Sequence, residues 1–149
     1  MIFDVDGVLT DGTLWYGPRG EELKAFSAHD GHGIKLLAAA GVTVALLSGR
    51  RSKAVTVRAR ELGIREVHQG VEDKLLVFNK ILKKHRLSVD AAGFMGDELV
   101  DLPVLERCGF ACAPREAPEA VRSRVHYVTE APAGRGAVRE LCDLLVRAA

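Results

Sequence analysis

The chain has 149 residues, 48% of them hydrophobic and 28% charged, the balance of one compact soluble domain with an ordinary core. Twenty-one Lys and Arg face 20 Asp and Glu, and a net charge of +1 excludes a basic surface of the size that binds nucleic acid or an anionic membrane. Apolar runs such as 42–47 are too short to span a bilayer, and no charged start with a long apolar core marks a signal peptide. A cytoplasmic protein with a small-molecule partner is therefore expected.

In chain order, Ile2 and Phe3 run straight into Asp4-Val5-Asp6-Gly7, which predicts a first strand over 1–5 that begins at the first residue, as if an upstream portion had been lost. Thr13-Leu14-Trp15-Tyr16 and the segment 23–27 flank the turn-forming Gly17-Pro18-Arg19-Gly20, so a β-hairpin is predicted over about 13–27. Amphipathic helical patterns at 34–41, 52–62, 73–85, 101–107, 118–123 and 136–147 then alternate with strand-like runs at 42–47, near Val67, and at 92–95, 110–113 and 127–128. That alternation predicts an α/β fold, a doubly wound parallel sheet covered on both faces, with the hairpin inserted after the first strand. The whole of 1–149 reads as a single domain. Cys108, Cys112 and Cys142 lack CxxC spacing and read as reduced core residues.

Ligands of open parallel sheets bind beyond the carboxyl ends of the strands. Asp4-Val5-Asp6, Ser48-Gly49-Arg50, Lys74 and Gly96-Asp97 all fall at predicted strand ends. A carboxylate attacks phosphorus to give an aspartyl phosphate, and Asp4 is the expected nucleophile. Asp4 and Asp6 would point oppositely in a regular strand, so a site using both requires the backbone to leave the strand there, as Gly7 permits. The attacking carboxylate and the phosphate repel each other, so a cation is needed; magnesium suits oxygen ligands, and Asp97 supplies the opposing carboxylate. Ser48, read as the start of a helix with Gly49 behind it, offers a hydroxyl and backbone N–H groups to the phosphate. Lys74 adds a compact positive charge. Asp6 is expected to protonate the leaving alcohol and then to deprotonate the attacking water.

Asp4-Val5-Asp6-Gly7-Val8-Leu9-Thr10-Asp11-Gly12, Ser48-Gly49-Arg50, Lys74 and Gly96-Asp97-Glu98-Leu99-Val100-Asp101 resemble the four motifs of the haloacid dehalogenase superfamily of phosphatases. Within it the chain is similar to the 3-deoxy-D-manno-octulosonate 8-phosphate phosphatase family, over about residues 2–146. This closer likeness rests on Asp30-Gly31-His32-Gly33-Ile34, Gln69-Gly70, Asp101-Leu102-Pro103-Val104 and Gly134-Arg135-Gly136-Ala137-Val138-Arg139-Glu140. The resemblance implies a Rossmann-like core without a large cap domain and a homotetramer whose subunits complete one another's sites. The implied activity is hydrolysis of a phosphorylated sugar acid for lipopolysaccharide precursors. It implies magnesium held by Asp4, Asp97 and the backbone carbonyl of Asp6. It further implies a substrate-binding segment of Ser27, Ala28, His29, Asp30 and Gly31, with contacts at Lys35, Gly49, Arg50, Arg58 and Lys74. Glu98 stands where the family carries a second aspartate, and Lys35 where it more often carries arginine. Arg135, on the glycine-flanked tail over about 134–149, is expected to complete the pocket by pairing with the substrate carboxylate.

Three alternatives compete with this reading: a phosphatase for a nine-carbon sugar acid, a non-catalytic tetramerisation module, and a phosphate-accepting receiver. Ser48-Gly49-Arg50 and the Gly-Arg-Gly tail favour the eight-carbon acid, and intact Asp4, Asp6, Lys74 and Asp97 favour turnover. Gly31-His32-Gly33 is no dinucleotide fingerprint, since Leu36 occupies the place of the third glycine. His29 and His32 read as loop or cap residues, and His68, His85 and His126 as surface or strand-end packing.

Overall fold

The computed structural model describes residues 1–148. In chain order its elements are β1 (Ile2–Phe3), β2 (Trp15–Tyr16), β3 (Glu22–Leu23), α1 (Ala28–Ala39), β4 (Ala45–Leu47), α2 (Lys53–Leu62) and β5 (Glu66–His68). There follow α3 (Lys74–His85), β6 (Gly93–Met95), α4 (Leu102–Leu105), β7 (Phe110–Ala113), α5 (Glu119–Arg122), β8 (Tyr127–Val128) and α6 (Ala137–Ala148). Six strands form one sheet in the order β5-β4-β1-β6-β7-β8, and every neighbouring pair is parallel. β1 is central, with Ile2 opposite Ala45 and Phe94, and Phe3 opposite Leu46 and Met95.

The four inner strands β4, β1, β6 and β7 are short and apolar because both faces of the sheet are covered there, while the edge strand β5 carries Glu66 and His68. Successive side chains of each strand supply opposite cores. Phe3, Leu46 and Met95 pack with Ile34, Val55 and Leu141 of α1, α2 and α6. Ile2, Leu47 and Phe94 pack with Phe78, Leu105 and Val121 of α3, α4 and α5. The free cysteines are all buried.

Two helices depart from the sequence expectation. α1 begins at Ala28, well before residue 34, because the Ser27 hydroxyl caps it by accepting the Asp30 N–H at 3.3 Å. Its glycines read as loop in sequence but are packing surfaces in the fold. A Cβ on Gly33 would meet the Arg139 Cα at 3.1 Å, and one on Gly31 would meet the Arg58 guanidinium at 2.2 Å. The stretch predicted at 101–107 divides into a 3-10 turn, Leu99–Asp101, and α4, whose second residue is Pro103.

The hairpin forms as expected: Trp15 pairs with Leu23 and Tyr16 with Glu22 in a separate antiparallel ladder. Trp15, Tyr16 and Leu23 are about 60% exposed (59%, 61% and 60%). Among the described residues no helix is long and apolar enough to cross a membrane. The strand order reverses between β1 and β6, which is where a crevice opens at the carboxyl edge of such a sheet.

Candidate active site

The backbone leaves β1 abruptly. The Asp4 N–H still bonds the Met95 carbonyl at 2.9 Å, but the Val5 carbonyl then accepts from Val8 (3.2 Å), Leu9 (2.8 Å) and Thr10 (3.1 Å) and closes a tight loop. That turn brings Asp4 and Asp6 to the same cavity, which a straight strand forbids. Gly7 has φ 82°, and a Cβ there would lie 2.0 Å from Oδ2 of Asp97, so the loop needs glycine for both conformation and space. The cavity measures about 390 Å³, and Asp4, Asp6, Ser48, Arg50, Lys74 and Asp97 are among its walls.

Lys74 opens α3, where Asp73 caps the helix by accepting the Leu76 N–H at 2.9 Å. This places the buried Lys74 Nζ 2.6 Å from Oδ1 of Asp101 and 3.1 Å from Oδ2 of Asp4. Asp101 is wholly buried, and its other oxygen accepts the N–H groups of Asp97 (3.1 Å) and Glu98 (3.2 Å). Asp101 therefore fastens the loop after β6 to Lys74. Its capping-box geometry with Glu98 sets the start of the 3-10 turn that follows Asp97.

Asp4, Asp97 and Asp101 offer oxygens within 4.8 Å of one another. One buried lysine faces three carboxylates, and the electrostatics record the imbalance. Burial pushes the Asp4 carboxyl up to about 6, with Lys74 opposing and Asp101 reinforcing. Burial, then Asp4 and Asp101, push Asp97 up to about 8. Desolvation disfavours the Lys74 ammonium, but Asp4 and Asp101 outweigh it and raise its pKa. An all-oxygen, charge-deficient cluster of this kind fits magnesium. Asp101 is wholly buried and stands behind the cavity wall, whereas Asp4 and Asp97 line the cavity, so these two carboxylates are the ones open to a metal. Among the described residues no donor reaches the Asp6 carbonyl, which faces no competing hydrogen bond.

The structure gathers Asp4, Asp6, Ser48, Gly49, Arg50, Lys74 and Asp97 around one cavity. Ser48 does not begin a helix, however. It follows β4 directly, and α2 starts only at Lys53 with Ser52 at the N-cap position, so Ser48, Gly49 and Arg50 form a turn in which the Ser48 hydroxyl accepts the Arg50 N–H at 3.2 Å. Any phosphate contact there uses loop N–H groups and not a helix terminus. The Asp6 carboxylate is paired with Lys24 of the hairpin. Arg50 reaches the hairpin as well, donating to Tyr16 Oη and Glu22 Oε2, both at 3.0 Å.

The structure does not bring Ser27, Ala28, His29, Asp30, Gly31, Lys35 or Arg58 to this cavity within the same chain. Asp30 is buried and accepts the N–H groups of Gly136 (3.3 Å) and Arg139 (2.8 Å), tying α1 to the tail. Arg58 donates to the Ser27 carbonyl at 3.1 Å and lies 5.9 Å over the Phe26 ring. Lys35 is exposed on α1. Arg135 lines an adjoining cavity of about 490 Å³ that shares Gly7, Gly12, Asp97 and Glu98 with the first.

Sequence reasoning missed Asp101 as the partner of Lys74 and Lys24 as the partner of Asp6; the aspartate four residues after Asp97 was the one available signal for the first. His68 and His85 share a partner: Glu66 lies 2.7 and 2.9 Å from their Nε2 atoms, and although burial pushes its carboxyl up, Lys84 and both histidines outweigh that and hold it down to about 2. Nδ1 of His126 accepts the Ala111 N–H at 2.8 Å.

No family model matches the chain. The 3-deoxy-D-manno-octulosonate 8-phosphate phosphatase KdsC of Escherichia coli strain K12 is 43% identical over 148 residues, which cover 99% of this chain and 79% of that protein. Among solved structures, the 3-deoxy-D-manno-octulosonate 8-phosphate phosphatase of Yersinia pestis superposes with a TM-score of 0.97 at 42% identity, covering 99% of this chain and 80% of that one. The Moraxella catarrhalis enzyme, in complex with magnesium, phosphate and KDO, gives 0.96 at 38% identity, with 99% and 84% covered. With a doubly wound sheet, an acidic cluster at its switch point and this degree of identity, the chain belongs to the 3-deoxy-D-manno-octulosonate 8-phosphate phosphatase family of the haloacid dehalogenase superfamily.

Proposed function

We propose that this chain hydrolyses 3-deoxy-D-manno-octulosonate 8-phosphate to the free sugar acid and inorganic phosphate, through a phosphorylated Asp4. The observation that carries the reading is a buried carboxylate, Asp4, held by Lys74 at 3.1 Å on the wall of an open cavity that also presents Asp97. An oxygen of Asp4 attacks phosphorus, the bond from phosphorus to the sugar oxygen breaks, and Asp6 supplies the proton that the leaving alkoxide needs. Water then attacks the acyl phosphate, Asp6 takes its proton, and the bond between Asp4 and phosphorus breaks. Lys74 and the Ser48, Gly49 and Arg50 loop hold the phosphoryl oxygens during both steps. Asp4, Asp97 and the Asp6 carbonyl would hold magnesium, which supplies positive charge between the nucleophile and the phosphate.

The whole of 1–149 is proposed to act as one cytoplasmic domain, although Ala149 lies outside the described residues. The hairpin is proposed to assemble a homotetramer, supported by its exposed Trp15, Tyr16 and Leu23. In that assembly the segment 27–31, Lys35, Arg58 and the tail 134–149 with Arg135 would complete the substrate pocket of a neighbouring subunit. Phosphate release from a panel of eight- and nine-carbon sugar acid phosphates, with magnesium and with excess EDTA, tests the reading. Turnover should favour the eight-carbon substrate, vanish in EDTA, return with magnesium and return poorly with calcium, whose looser coordination misplaces the attacking oxygen. Full activity in EDTA would refute the metal assignment, and preference for a nine-carbon acid would move the chain to the alternative substrate.

A further inference from the structure

Lys24 follows β3 directly, and its side chain is wholly shielded from solvent. Its ammonium contacts Oδ1 of Asp6 and, at 2.5 Å, Oε1 of Glu22. The second oxygen of Glu22 takes the Arg50 guanidinium at 3.0 Å, and the same guanidinium nitrogen donates to Tyr16 Oη. The adjacent Lys24 ammonium is the foremost reason that the Glu22 carboxyl lies below its usual range. Among the described residues Lys24 is the one side-chain partner of the Asp6 carboxylate. The hairpin thus reaches two cavity walls, Asp6 and Arg50, through a continuous chain of ion pairs.

Shielding a lysine side chain from solvent is an expensive way to anchor a hairpin. The ammonium loses its hydration and the long stem loses rotamer freedom, whereas an apolar side chain of similar size would pack without either penalty. The charge is spent on a carboxylate that lines the catalytic cavity, which packing alone does not require. We propose that Lys24 is a positioning residue: it fixes the rotamer of Asp6, and Glu22 fixes Lys24, so that the hairpin sets where the proton donor stands relative to the leaving oxygen. This inference rests on the reading of Asp6 as the group that protonates the leaving group.

Leaving-group dependence tests it, with the assembled, magnesium-loaded protein and two substrates of nearly equal shape. 4-Nitrophenolate departs with little help from a proton, whereas phenolate needs more, and kcat/KM reports the steps through phosphoryl transfer to Asp4. Lys24→Met, which keeps the stem and removes the charge, is expected to lower kcat/KM for phenyl phosphate about tenfold more than for 4-nitrophenyl phosphate. Asp6→Asn should show the same asymmetry in stronger form, and Lys24→Arg should recover part of the loss. Equal losses on both substrates, or none, in a Lys24→Met protein that melts like the parent would overturn the inference while Asp6→Asn still shows the asymmetry. Equal losses in Asp6→Asn would remove the acid assignment and the inference with it. If Lys24→Met loses its cooperative melt, Glu22→Gln takes its place. That variant loosens Lys24 without emptying the site, and its effect through Arg50 divides out of the ratio between the two substrates.

Discussion

Replacing Asp97 by Asn should stabilise the protein in EDTA and destabilise it, relative to the parent, in magnesium. Asp97 has an ordinary value of 3.8 and is pushed up to about 8 by burial and by Asp4 and Asp101. A carboxyl whose folded value is raised costs nothing below its unfolded value; the penalty grows as pH rises above that and is complete at the folded value. At pH 7 about three decades apply, each ~1.4 kcal/mol, so the ceiling is ~4 kcal/mol. Burying an amide in its place costs ~1–2 kcal/mol, which leaves a net gain of ~2 kcal/mol. For a chain of this length that is a rise of about 4–8 °C in Tm. Thermal melts in EDTA from pH 5 to 8.5 should show the gap widening with pH. Saturating magnesium should reverse the order, because the parent gains binding free energy that the variant, short of a ligand, does not. An Asp97→Asn variant that melts below the parent in EDTA at pH 8, or a gap that does not shrink toward pH 5, would refute the claim that repulsion dominates this cluster.

Asp4→Asn keeps the shape of the side chain but removes the proposed nucleophile, so phosphate release should fall more than about 10³-fold with the melt preserved. Gly7→Ala combines a φ of 82° with a Cβ placed 2.0 Å from Asp97 Oδ2; displacement of Asp97 by the order of 1 Å should lower kcat about 10²-fold. A glycine linker in place of residues 14–21, which leaves Glu22 and Lys24 intact, should weaken assembly in light scattering and sharply reduce turnover of the sugar acid. A generic aryl phosphate should be affected much less, and equal loss on both would show that the hairpin tip supports the core.

The sheet was legible because its inner strands are buried on both faces and so read as unbroken apolar runs, and the edge strands β5 and β8 also fall at runs seen in the sequence. Asp4, Lys74 and Asp97 were legible for a related reason, since the ends of such runs are where a parallel sheet gathers its chemistry. The start of α1 was not. Gly31 and Gly33 disfavour a helix locally, and only the close approach of Arg58 and Arg139 gives their missing side chains a purpose. A serine and a glycine before an amphipathic run look like a cap, which puts Ser48 at a helix terminus in the sequence, yet the residue at the N-cap position is Ser52. The pairs that arrange the site, Lys74 with Asp101 and Lys24 with Asp6, join residues 27 and 18 positions apart, a separation at which no pattern in the chain carries a signal.

Those two pairs divide the labour of one small cavity. Three carboxylates against one ammonium leave two negative charges, which a single divalent cation balances, and Asp101 is already committed to Lys74 and to the N–H groups of the loop that carries Asp97. The proposed nucleophile Asp4 and the open carboxylate Asp97 are thus held from the core side by a network that contains no hairpin residue. Asp6 and Arg50 are held from the opposite side by the hairpin, through Lys24 and Glu22. A carboxylate that must give a proton in one step and take one in the next has to stand at the leaving oxygen and then at the water, so its rotamer matters more than its mere presence. In a fold without a large cap, the exposed hairpin proposed to join the subunits is also the element proposed to aim the proton donor, and assembly and chemistry would then be coupled through one shielded lysine side chain.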